Sequence, residues 1–229
     1  MNFLGRLFAL IILLLFLSKP VAAFKCAAIE TYAGGGPDSL FANSANLRSP
    51  SGVAVDSIGN YYIAAYGQHR IFKVDITGRL TVVAGNGISG FSGDGGLATS
   101  ACLSSPRGVA MDVAGNLYIA DQDNHRIRKV DTTGVITTVA GNDDYGYSGD
   151  GGLATAASLR KPSGVTVDSS GNLYIADSYN QRIRKVDTSG NIATVAGSGL
   201  YGFSGDGGPA TSASLRTPSG VAVDEHGNL

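Results

Sequence analysis

From Leu159 to Gly197 the chain reads LRKPSGVTVDSSGNLYIADSYNQRIRKVDTSGNIATVAG. From Leu103 to Gly141, 56 residues earlier, it reads LSSPRGVAMDVAGNLYIADQDNHRIRKVDTTGVITTVAG. A further shift gives Leu47 to Gly85, and a forward shift gives Leu215 onward. Pro50, Pro106, Pro162 and Pro218 keep the same register, as do Asp56, Asp112, Asp168 and Asp224. A chain copied at a fixed period is a stack of one supersecondary unit, so the unit decides the fold.

Within a copy the apolar pattern gives four short strands separated by turn chemistry, at 164–168, 173–177, 183–187 and 192–196 in the third copy. Ser169-Ser170-Gly171-Asn172 and Thr188-Ser189-Gly190-Asn191 supply residues that tolerate positive φ, and they predict two tight hairpins. The 33 glycines among 229 residues fit a turn-rich chain. Four strands with no helix for a parallel crossover predict an antiparallel meander, and meanders repeated in series stack face to face as a β-propeller. The first strand (GVAVD, GVTVD) has the small residues suited to a crowded innermost position. Alternation of strand direction puts the two short hairpins on one face. The second-to-third connection and the 85–107 connection, 23 residues long, then share the other face. Within that connection, 98–103 is expected to form a helical turn, with the aspartate of S-G-D-G-G as its cap. The resulting fold class is all-β, an incomplete β-propeller of four-stranded antiparallel blades after an N-terminal signal helix, with repeats at about 47–102, 103–158 and 159–214 and a partial copy at 215–229.

Residues 1–23 differ from the rest. Arg6, the apolar run 7–17 and the small residues Val21-Ala22-Ala23 predict a secretory signal, and the run is too short for the roughly 20 residues a bilayer span needs. The expected location is secreted or periplasmic, with no membrane span after cleavage. Removing Arg6 and Lys19 from 17 basic residues leaves 15 against 18 acidic ones, a net charge of −3 that disfavours nucleic acid. Ile29 to Gly34 resembles the last strand of a unit.

At P-S-G-V-A-V-D, G-N-L-Y-I-A-D, N-x-R-I-R-K-V-D and T-V-A-G the chain resembles the NHL repeat family. The segment G-F-S-G-D-G-G-P-A-T-S-A-S-L is similar to the long-period NHL arrays of bacterial exported proteins and of the teneurin extracellular region. The resemblance implies a propeller, commonly six-bladed, that binds proteins or ligands. Some relatives bind RNA, and the amidating lyase of the family is metal-dependent. Three complete copies are fewer than six, which leads to the expectation of a fragment of a longer protein with exposed blade edges.

The D-x-x-N-x-R motifs, Asp121 with Arg126 and Asp177 with Arg182, are expected to lock their loops, each carboxylate holding its own turn and pairing with that arginine. The first copy has Ala65 in place of the aspartate, predicting a looser loop. His69 and His125 are equivalent, but Gln181 breaks the series, and Asp94, Asp150 and Asp206 each stand alone in their loops, so neither set predicts a metal site. No cofactor is expected. A contact surface is expected where the copies differ on the long-loop face: Tyr66, His69, Asp123, His125, Tyr145, Tyr147, Tyr179, Gln181, Tyr201 and Phe203. The leading reading is a scaffold that binds a protein or cell-surface ligand through that face, and the alternative is a metal-dependent lyase or lactonase-like propeller enzyme.

Overall fold

The computed structural model describes residues 41–229. The expected signal segment and the strand-like Ile29 to Gly34 lie outside the described residues. Twelve strands form three separate antiparallel sheets. The first contains β1 (Pro50–Val55), β2 (Tyr61–Ala65), β3 (Arg70–Val74) and β4 (Leu80–Ala84). The second contains β5 (Pro106–Met111), β6 (Leu117–Asp121), β7 (Arg126–Val130) and β8 (Ile136–Ala140). The third contains β9 (Gly164–Val167), β10 (Leu173–Asp177), β11 (Arg182–Val186) and β12 (Ile192–Ala196). Each sheet is a meander in chain order, as the turn chemistry requires. The third strands begin one residue earlier than the apolar pattern suggests, at the arginine.

The hairpin turns are built on aspartate. Asp168 Oδ1 accepts the N–H groups of Ser170 and Asn172, at 3.0 and 2.8 Å. Its Oδ2 takes the Asn172 amide at 2.8 Å and the Tyr174 hydroxyl at 3.2 Å. Glycine at positive φ, such as Gly171 at 91°, closes the turn. The same turn forms at Asp224, although residues 215–229 make no strand.

The core lies between sheets. Strand alternation sends Leu117 and Ile119 of β6 toward Ala64, Ile71 and Ala84 of the first sheet, while Tyr118 and Ala120 face Val165, Leu173 and Ile175 of the third. Alanines of the long connections complete each layer: Ala98 and Ala101 in one, Ala154 and Ala157 in the next. The helical turn expected in these connections is a short 3-10 turn, Ala98–Ser100, repeated at Ala154–Ala156 and Ala210–Ser212.

β1, β5 and β9 pack on one another. Their glycines mark the closest approach: a Cβ on Gly108 would sit 2.6 Å from the Ser163 carbonyl oxygen, and one on Gly164 would sit 2.9 Å from that of Ser219. Gly52 meets the Arg107 carbonyl in the same way. Ser51 and Ser163 add hydroxyl bonds to the next copy, to Arg107 O at 3.1 Å and Ser219 O at 2.9 Å.

Candidate functional site

Each second-to-third connection is a 3-10 turn: Tyr66–Gln68, Gln122–Asn124 and Ser178–Asn180. It ends on a left-handed residue, His69, His125 or Gln181, at φ 53°, 56° and 55°. This backbone aims one side-chain acceptor at the following copy. His69 Nδ1 accepts the Ser105 N–H at 3.1 Å, His125 Nδ1 the Lys161 N–H at 3.1 Å, and Gln181 Oε1 the Thr217 N–H at 2.6 Å. The imidazole nitrogen and the amide oxygen are interchangeable here because the bond needs only an acceptor. Burial pushes the His125 pKa below its usual value, and Lys161, Arg126 and Arg160 add to this against the pull of Asp123. The resulting neutral ring is the state that can accept.

A buried ionic network lies beside the second and third of these staples, in the connections ending at His125 and Gln181. Arg128 and Arg184 are fully buried. Arg128 reaches Asp121 at 3.3 Å, Asp94 at 2.6 Å and the Ser92 carbonyl at 3.0 Å. Arg184 reaches Asp177 at 3.3 Å, Asp150 at 2.6 Å and the Ser148 carbonyl at 3.0 Å. Asp121 and Asp177 each bond to groups on more than one segment, and two details of the sequence reading are corrected. Each pairs with the second arginine of R-I-R-K and not with Arg126 or Arg182, because a buried guanidinium has to be compensated. Each Oδ1 also accepts the N–H of a residue entering the sheet, Ser104 or Arg160, at 2.7 Å, and not that of its own turn. Burial raises both carboxyls to about 6 against these donors. Arg126 pairs instead with Asp143, and Arg182 with the Asn180 and Ser198 carbonyls.

Asp94 and Asp150 do not cap the 3-10 turns. They carry the S-G-D-G-G loop forward onto the next sheet, where Asp94 Oδ2 also takes the Thr138 hydroxyl at 2.7 Å. Backbone bonds from Gly95 to Ile136 O and from Ala98 to Gly134 O fix the same crossing, which makes the long connection a clasp. In the first sheet the aspartate and the arginine are replaced together by buried Ala65 and Phe72. The Tyr66–Gln68 turn keeps the same 3-10 shape over this apolar pair.

The aromatic candidates divide. Tyr147 lies under Arg182 and Arg184, at 3.6 and 4.9 Å, as Phe91 lies under Arg126 and Arg128, at 3.8 and 4.8 Å. These rings are 43% and 41% exposed, whereas Phe203 is 86% exposed. Tyr145 and Tyr201, at 64% and 63% exposure, stand clear of the clasp. The Arg160 guanidinium is 5.0 Å from the Tyr145 ring and 5.8 Å from that of Tyr179. The His125 ring is 5.7 Å from Tyr145. Lys161 pairs with Asp123 at 3.1 Å and lies 5.8 Å from the Tyr179 ring. The Arg216 guanidinium is 5.3 Å from the Tyr201 ring centre and donates to its hydroxyl at 2.6 Å. The structure thus gathers Asp123, His125, Tyr145 and Tyr179 around Arg160 and Lys161. Tyr66 stands with Arg107, 5.7 Å away, and Tyr201 with Arg216.

Sequence reasoning missed the arginines of these pairs. A signal for two of them was present: the copy without the tyrosine also lacks the arginine, and there Ser89 meets Ser104 at 2.9 Å. Among the described residues no group of three or more His, Cys, Asp or Glu is placed to hold a metal. The Nδ1 atoms of His69 and His125 are occupied by backbone donors, so these residues do not fit the metal-dependent enzyme alternative. No helix among the described residues is long and apolar enough to cross a membrane. Cys102 has no disulfide partner among the described residues.

Comparison with known proteins agrees with this architecture. The family model for the teneurin NHL domain matches residues 88–148 and 143–204, together about half of the chain. The chain is 32% identical over 195 residues to the Arabidopsis thaliana protein Suppressor of quenching 1, chloroplastic, covering 80% of this chain and 18% of that protein. It is 31% identical over 214 residues to human teneurin-1, covering 82% of this chain and 8% of that protein. A crystal structure of a protein of unknown function from Bacteroides thetaiotaomicron superposes with a TM-score of 0.59 at 24% identity, over 75% of this chain and 41% of that one. The chain thus spans less than a fifth of the length of either curated relative.

Proposed function

The chain belongs to the NHL-repeat family, and on that premise we propose that it is an extracytoplasmic recognition module, secreted or periplasmic, that displays a binding surface on its long-loop face. Its sheets are read as an unclosed arc of a β-propeller. One observation carries the proposal: the face is rigid in its frame and variable in its decoration. Staples and clasps repeat from copy to copy. The side chains they present change, from Gly67 to Asp123 to Tyr179, and from Ser89 to Tyr145 to Tyr201. A fixed scaffold under varied loops is the arrangement that binding proteins use. The partner is a protein or a cell-surface ligand.

Site-directed photocrosslinking tests this. A benzophenone side chain at Leu200, exposed on the long-loop face, is expected to capture a surface component from cells bearing the partner, and the same group at Ile58, exposed on the hairpin face, is not. Equal capture from both positions would remove the proposal.

A further inference from the structure

We propose that the long-loop face recognises an acidic polypeptide segment, whose carboxylates dock on a strip of tyrosine-stacked arginines. This rests on the reading of that face as the binding surface and names the chemistry it takes. Arg107, Arg160 and Arg216 each lie against a tyrosine ring, those of Tyr66, Tyr145 and Tyr201. None of the three is in an ion pair among the described residues, where the paired cations are Arg126, Arg128, Lys161 and Arg184. Of the acids in the same loops, Asp123 and Asp143 are already tied to Lys161 and Arg126, and Asp144, next to Tyr145, is in none of the ion pairs among the described residues. The free guanidiniums therefore keep their charge available on a chain whose net charge is −1.

The ring contact restrains each guanidinium and leaves N–H groups for an incoming oxygen pair, the terminal nitrogens in the case of Arg216, whose Nε donates to the Tyr201 hydroxyl; a carboxylate fills such a fork with two parallel bonds. Two of the pairs are linked through the residues between them. Tyr179 shares Arg160 with Tyr145, and Gln181 bonds the backbone of Thr217, next to Arg216, so the strip continues from Tyr145 to Tyr201. Half-exposed tyrosines alternating with arginines supply the two residue types that most often dominate protein–protein contacts, which favours a polypeptide over a glycan or a nucleic acid. Because the whole chain is slightly acidic, attraction for a polyanion has to come from local basic surface, and this strip is where arginines and tyrosines coincide on the long-loop face.

The test uses the full chain and fluorescent poly-L-glutamate at low salt, with heparin and an RNA homopolymer as comparators. The unsubstituted chain is expected to bind poly-L-glutamate more tightly than either comparator, with affinity falling as salt rises. The double variant R160A/R216A should lose about tenfold or more, since each charge-assisted pair is worth roughly that factor. R160K keeps the charge but loses the planar fork, and it should be weaker than the parent. R160A and R79A each remove one positive charge: R160A should bind severalfold more weakly than the parent, whereas R79A, on the hairpin face, should bind within about twofold of it. Loss in R79A equal to that in R160A, preference for heparin or RNA, or no binding of poly-L-glutamate would each overturn the inference. If crosslinking from Leu200 still captures a partner in that case, the display reading survives alone; if both fail, both fall.

Discussion

At the residue scale, the interchange of His69, His125 and Gln181 shows that a side chain is retained here for its lone pair. The pKa of His125 is depressed in the fold, so its contribution to stability is present above the usual histidine value of about 6.5 and is lost as pH falls through the folded value. H125Q copies the third repeat, keeps the acceptor and removes the titration. Urea melts at pH 5 and pH 8 should show a smaller acid-side loss in H125Q than in the parent, with near-equal stability at pH 8. Equal losses would show that the staple does not titrate. Asp121 and Asp177 act with the opposite sign. Raised to about 6, they hold protons in the fold that the unfolded chain has released, so their contribution is present below about 4 and lost as pH rises through about 6. Comparing H125Q with its parent cancels that background.

The buried arginines make a second residue-scale prediction. R128M leaves Asp121 and Asp94 facing a neutral side chain in a buried site and should cost about 3–5 kcal/mol. The pair D121A/R128F copies Ala65 and Phe72 of the first sheet and should cost less than the sum of its single changes, because it removes both charges together. Denaturant melts of the four proteins in that cycle measure the coupling. Additive costs would mean that the first sheet's apolar pair is not a substitute for the ionic one.

At the level of elements, the clasp joins a loop to strands of the next sheet. D150A removes the bonds of Asp150 to Arg184, Tyr147 and Thr194, at 2.6, 2.8 and 3.1 Å. Hydrogen exchange should then quicken across 141–158 and at the edge of β11 and β12, while β1 to β4 keep their protection. Uniform quickening would contradict the local role of the clasp. Strand positions were readable in the sequence because the period, the alternation and the aspartate–glycine turns all agree. The clasp was not, since Asp94 and Arg128 are 34 residues apart and nothing local links them. Only the joint change to Ala65 and Phe72 in one copy hinted that aspartate and arginine answer to each other. The choice of Arg128 over Arg126 was equally hidden: β-register sets Asp121 opposite Arg126, yet both arginines are buried and it is the diagonal Arg128 that pairs with Asp121, while Arg126 turns to Asp143.

For the molecule as a whole, stability is a sum of sheet contributions and the interfaces between neighbours, and each interface holds a shared core. The inner strands set how closely neighbours approach. G108A adds a methyl group where only 2.6 Å separates it from the Ser163 carbonyl, a backbone atom that cannot turn aside. The expected cost is about 1–3 kcal/mol by calorimetry or urea melt, since overpacking pushes two sheets apart at once. G134A has no atom within 4 Å of its added methyl, but its φ of 84° adds backbone strain, so it reports strain without overpacking.

The clasps also give the chain a direction in time. Asp94 precedes Arg128, and Asp150 precedes Arg184, so each acid is synthesised before the base that will neutralise it. A chain emerging amino-terminus first therefore extends a solvated, charged loop ahead of every sheet it has yet to make, and the sheet closes onto a latch already in place. Ribosome-held chains stopped so that residue 125 or residue 145 has just emerged should differ in how readily protease cuts between Ile88 and Leu97, with protection only in the longer one.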